Sequence, residues 1–145
     1  GRILFAATKA DHLHHLQHGA LTAIMEAMLR QAKDRAAFAG AETEAIALAA
    51  LRTTVEEERM HEGRPLPMVR GTLMDGRQAA LYPGRLPNDP ARMLNAASAG
   101  AEGWLDGDYA VMRFRPPGTP LRPGEGPPHI RLDRAAEFLF GDRLR

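Results

Sequence analysis

Apolar residues follow two rhythms along this chain. Ile3-Leu4-Phe5-Ala6-Ala7 is a short continuous run closed by Thr8-Lys9-Ala10-Asp11, the pattern of a buried parallel strand and its C-terminal loop. Leu21, Ile24, Met25, Met28, Leu29 and Ala32 then recur at helical spacing, in a helix that starts at Thr22 or His18-Gly19 and stops at Gly40. Glu26, Arg30, Lys33 and Asp34 fall on its polar side. Residues 44–52 are ambiguous: alanine and leucine favour helix, whereas a short apolar run after a glycine stop favours a buried strand. The strand reading is adopted, because it completes a βαβ unit whose two strands end on one edge.

Beyond Thr53 the apolar stretches shorten. Val55, Met68-Val69, Leu73 and Ala79-Leu81-Tyr82 are broken by Glu62-Gly63, Asp75-Gly76 and Pro83-Gly84, which predicts an antiparallel meander over 53–86. Asp89 and Pro90 are suited to cap and open a helix carrying Met93, Leu94 and Ala97. Tyr109 to Phe114 reads as a further strand, and the Pro/Gly-rich stretch 116–128 as a loop or linker. Asp133 is expected to cap a last helix with Ala136, Phe138, Leu139 and Phe140 on its apolar side. The expected units are 1–52, 53–128 and a C-terminal helix in 129–145.

Composition narrows the class. The 145 residues are 44% hydrophobic and 26% charged, the balance of a folded globular domain, with a formal net charge of +1. That charge gives no electrostatic basis for nucleic-acid binding. No cysteine is present, which removes disulfides and thiolate metal sites and fits a cytoplasmic protein, and no run is long enough for a membrane span. The chain opens inside an expected core strand without an initiator methionine, so it is read as the C-terminal piece of a longer protein.

The tetrapeptide after the first strand carries the sharpest chemistry. Guanine presents its ring N1–H and exocyclic amine side by side, and a fixed carboxylate accepts both in a pair that adenine cannot copy. Asp11 is that carboxylate. Lys9 would lay its stem across the purine, Thr8 would hold the loop through its hydroxyl, and a backbone N–H from Ala49-Ala50-Leu51 would meet guanine O6. Thr-Lys-x-Asp is short enough to occur by chance, and its place between an apolar strand and a helical connection gives it weight.

Longer segments, in order, carry a resemblance. Residues 3–15, 35–43, 47–52, 80–84 and Pro127-Pro-His-Ile-Arg-Leu-Asp133 resemble the YcjX-like bacterial stress proteins, which are P-loop, Ras-like GTP-binding proteins. The resemblance implies an α/β fold: the C-terminal part of a Ras-like GTPase domain, a family-specific antiparallel β-rich insertion and a C-terminal helix. It matches Thr8, Lys9 and Asp11 to the base-specificity motif and Ala49, Ala50 and Leu51 to the second base-contacting loop. It also implies GTP or GDP as ligand, Mg²⁺ and GTP hydrolysis in the full-length protein, and an unidentified effector. The sequence contains neither G-x-x-x-x-G-K-[ST] nor D-x-x-G, so the phosphate and Mg²⁺ contacts would come from an upstream half of the domain, and this piece alone should be inactive.

Other constellations are weaker. His12, His14, His15 and His18 raise the option of a metal, since 14 and 18 share a face if helical. A closed structural site needs four convergent ligands, and the reading adopted is a polar loop entering the helix, without metal. Asp106 and Asp108 around Gly107 read as a turn rather than a calcium loop, and Glu56-Glu57-Glu58-Arg59 as an exposed strand or helix end. Ser98, the only serine, lies in an alanine-rich stretch that offers no nucleophile turn. Trp104, Tyr109 and Phe114 read as core. The rival class is a non-catalytic α+β interaction module, with Asp11 a surface acid and 53–128 a binding face. A helix at 44–51 would favour that rival.

Overall fold

The computed structural model describes residues 1–90, 112–118 and 122–143. Strand β1 (Arg2–Ala7) leads through two 3₁₀ turns into helices α1 (His18–Met28) and α2 (Arg30–Phe38), and β2 (Glu42–Ala47) follows. Strands β1 and β2 pair in parallel, in register from Arg2 opposite Glu42 to Ala7 opposite Ala47. Residues 44–47 of the ambiguous segment are therefore strand and the expected βαβ unit forms, but the strand starts earlier, at Glu42, and 48–52 lie beyond its end. Gly40 stops α2 as the spacing predicts: its φ of 76° lets Ala41 N–H reach Ala36 O and Gly40 N–H reach Ala37 O, the paired bonds of a left-handed helix end.

Three expectations for this unit need correction. The helical run is two helices, because Leu29 leaves helical geometry at φ −101° and ψ 6°. Met28, at that break, is 64% exposed rather than on a buried face. Strand β1 is only half-buried, with Ile3 40% exposed, since it belongs to a two-stranded sheet among the described residues.

Strands β3 (Thr54–His61), β4 (Arg64–Thr72) and β5 (Gln78–Leu81) form the expected antiparallel meander in the order β3-β4-β5. Glu62 and Gly63 make its first turn with φ of 50° and 75°, the two positive angles that let a two-residue hairpin follow strand twist. Glu56 to Arg59 lie within β3. Val69, Leu81 and Phe114 pack as its core, with Leu73 and Met112 against them. Phe114 bridges Leu73, and the earlier part of the expected strand, like Trp104, the helix expected at Met93 to Ala97, and Asp106 to Asp108, lies outside the described residues.

The last helix, α3 (Leu132–Phe140), covers the parallel sheet: Ala135 packs with Ile46 and Leu48, and Leu4 joins them. Its N-cap is Arg131 in left-handed geometry, whereas Asp133 sits inside the first turn, so the expected Asp133 cap is corrected. Ala136 and Phe140 are exposed and Ala135 is buried instead. Among the described residues no helix is long and apolar enough to cross a membrane.

Candidate functional site around Asp11

The edge where β1 and β2 end is built by the parallel ladder running on into the loop. Leu48 N–H donates to Ala7 O and Ala10 N–H donates to Leu48 O, at 2.9 and 3.1 Å. With Ala7 and Ala10 both bonded to Leu48, just past the end of β2, Thr8 and Lys9 between them bulge outward, and Lys9 takes a left-handed φ of 58°. Ala10 is fully buried, and Asp11 behind it is 3% exposed. Asp11 is thus no surface acid.

A buried carboxylate needs hydrogen-bond donors, and Asp11 finds them where β3 begins. Thr53 donates to Asp11 Oδ2 from both its backbone N–H and its hydroxyl, each at 2.7 Å. The Thr54 hydroxyl donates to the Asp11 carbonyl oxygen. A carboxylate accepts about four hydrogen bonds over its two oxygens, so Thr53 fills Oδ2 and fixes which way Oδ1 faces.

His18 and Arg131 brace the same loop from beneath. His18 Nε2 lies 2.8 Å from Ala10 O and 3.2 Å from Leu13 O, two acceptors, so Nε2 carries the proton. Its Nδ1 then accepts from Arg131 Nη1 at 3.1 Å, and the same Nη1 donates to Ala47 O at 2.9 Å. Burial lowers the His18 pKa below its usual value, the two carbonyls pull it back, and the neighbouring Arg131 charge lowers it further. The imidazole is held neutral with one tautomer fixed.

The other loop of the site is also tied down. Ala49 exchanges N–H and C=O with Ile130 at 3.1 and 2.9 Å, and Arg52 N–H donates to Pro128 O at 2.7 Å. The Ala49 amide is therefore committed. Ala50 and Leu51 are exposed, and neither amide donates to the backbone among the described residues. Thr8 is exposed and its hydroxyl makes no hydrogen bond among the described residues; Ala10 N–H and His18 do the holding expected of it.

Polar clasps join the meander to this edge. The Gln17 side-chain amide donates to Gly84 O at 2.7 Å and accepts from Leu86 N–H at 2.6 Å. The His12 ring meets Phe114 edge-on at 5.3 Å between centroids, and its pKa is lowered, first by burial and further by Lys9, against the opposing charge of Asp11. Sequence reasoning missed Thr53, His18, Gln17 and Arg131 as parts of the site. Arg131 left a trace within Pro127 to Asp133, and His18 was singled out only as a helix start and a candidate metal ligand.

Similarity agrees with the resemblance. The protein named Ras-like GTPase YcjX from Escherichia coli strain K12 is 35% identical over 145 residues, covering 99% of this chain and 29% of its own length. The protein of the same name from Shewanella oneidensis is 29% identical over 145 residues, covering 99% of this chain and 28% of its own length. The chain thus spans under a third of these relatives. The model of the YcjX-like family, DUF463, matches residues 1–144, and with that match the chain belongs to the YcjX-like family.

Proposed function

We propose that this chain supplies the guanine-recognition part of a Ras-like GTP-binding protein. The observation that carries the reading is the oriented carboxylate: Asp11 sits at the C-terminal edge of the parallel pair with Oδ2 held by Thr53. Ligands in open α/β sheets bind at that edge. The guanine N1–H and exocyclic amine converge on Oδ1, where burial strengthens charge-assisted hydrogen bonds. Lys9, pushed outward by the bulge, covers the purine with its stem, and Thr8 lines the same bulge. The Ala50 or Leu51 amide serves guanine O6, while Ala49 contributes its place in the loop through its bridge to Ile130.

The chain binds GTP or GDP in this reading as part of a longer cytoplasmic protein. GTP hydrolysis belongs to that whole protein, with a phosphate loop and Mg²⁺ ligands on other segments, as do a stress-related role and an effector that reads the nucleotide state. The names of the relatives support GTPase chemistry for the family. The decisive experiment is Asp11→Asn in a full-length protein carrying this chain, with guanosine and xanthosine diphosphates competing against a fluorescent nucleotide. Loss of the charged acceptor should weaken the guanosine nucleotide by roughly a hundredfold and favour the xanthosine one. Unchanged guanosine preference sinks the assignment.

A further inference from the structure

Two histidines next to each other in the sequence meet a glutamate from β3, beside the Asp11 loop but apart from its carboxylate. We propose that His14, His15 and Glu56 form a binding site for a divalent transition metal of the zinc class. One donor atom from each of the three lies within 4.8 Å of the others. His15 Nδ1 is 2.7 Å and His14 Nε2 is 4.0 Å from the same atom, Glu56 Oε2. A tetrahedral ion about 2.1 Å from nitrogen and oxygen donors spaces them about 3.4 Å apart, between these two values. The adjustment falls on His15, whose side chain is 61% exposed and has room to turn.

The two oxygens of the glutamate are divided between backbone and imidazoles. Oε1 accepts from the His15 backbone N–H at 2.8 Å and faces Arg52 Nη2 at 4.0 Å, while Oε2 shares a proton with His15 Nδ1 at 2.7 Å, which a metal ion between them would displace. His14 is buried and positioned, its Nδ1 accepting from Leu16 N–H over a long 3.4 Å. Metal at Nε2 moves the ring proton to Nδ1 and replaces that one long bond.

Two imidazoles with one carboxylate suit zinc, nickel or cobalt and not magnesium or calcium, which prefer all-oxygen sites. Three protein ligands leave a fourth position for water. His12 and His18 take no part, since the first ring packs on Phe114 and both nitrogens of the second are bonded. An ion here would crosslink the loop following Asp11 to β3, across 41 residues of chain. The inference stands whether or not Asp11 reads guanine.

The test strips the protein with a chelator, then titrates Zn²⁺ against a chromophoric competitor and Co²⁺ by visible absorption. One equivalent should bind per chain, with the strong Co²⁺ bands of a four-coordinate site. His15→Ala and Glu56→Gln should each weaken binding by more than about a hundredfold, beyond what is usual for an outer partner, while His61→Ala, at the far end of β3, leaves it unchanged. Should Glu56→Gln unfold the meander, His15→Ala at an exposed ring carries the test alone. Failure to saturate at one equivalent, or equal affinity in wild type and His15→Ala, overturns the proposal.

Discussion

Arg131 Nη1 donates to His18 Nδ1 at 3.1 Å, joining residues 113 apart in the chain and tying the start of α3 to the start of α1. The same nitrogen caps the carbonyl of Ala47 at the end of β2. Since His18 in turn holds Ala10, one guanidinium stiffens the backbone that presents Asp11.

Arg131→Met keeps the aliphatic stem but strips two part-buried acceptors of their donor. Leaving them unsatisfied should cost about 1–3 kcal/mol. Urea unfolding followed by circular dichroism measures this, and an unchanged midpoint would show that water replaces the guanidinium without loss.

The pH dependence has a definite sign. His18 and His12 have folded pKa values depressed below the usual 6.5, so their stabilisation is complete above that pH. As pH falls below 6.5 the unfolded chain takes up protons that the folded one refuses, and stability declines through the folded values. Glu56, also depressed, adds a second loss below about 4.5. His18→Gln keeps one donor for Ala10 O and one acceptor for Arg131 without titrating. Its melting temperature should fall less than wild type between pH 7 and 5.5, and an identical pH slope would remove His18 from this account.

Thr53→Val deletes one of the two donors to Asp11 Oδ2 and leaves the backbone N–H in place. The expected cost is about 1–2 kcal/mol, restored by Thr53→Ser. Thermal unfolding of the pair of variants distinguishes the hydroxyl from the methyl: if Ser fails to rescue, packing and not the hydrogen bond holds the position.

Gly71 is where β4 passes beneath the ring of Phe114. A Cβ at that position would stand 2.5 Å from Phe114 Cδ1 and 3.0 Å from two further ring atoms. Gly71→Ala should therefore displace the ring and destabilise the protein by about 1–3 kcal/mol. Double substitution with Phe114→Leu checks the cause, because the alanine penalty should shrink once the ring is gone.

Much of the fold was legible because local patterns decide it. The helical spacing after His18, the glycine stop at Gly40, and the turns at Glu62-Gly63 and Asp75-Gly76 each follow from a few neighbouring residues, and β2 followed from a short apolar run that outweighed alanine propensity. Other features were misread because their cause lies elsewhere in the chain. The α3 cap passes from Asp133 to Arg131, which is held by Ala47 and His18. Thr8 loses its expected role because Ala10 N–H finds Leu48 O.

The candidate site divides the same way. Sequence alone determined that an acid follows an apolar strand one βα unit before an alanine-rich strand end, because residue order and periodicity are local properties. Tertiary structure alone decided that Asp11 is buried, that Thr53 occupies one of its oxygens, that Ala49 is committed to Ile130, and that His14 and His15 face Glu56. Each is a pairing between segments distant in sequence. A hydrogen bond is satisfied only where the fold brings donor and acceptor within about 3 Å, and no spacing along the chain records that distance.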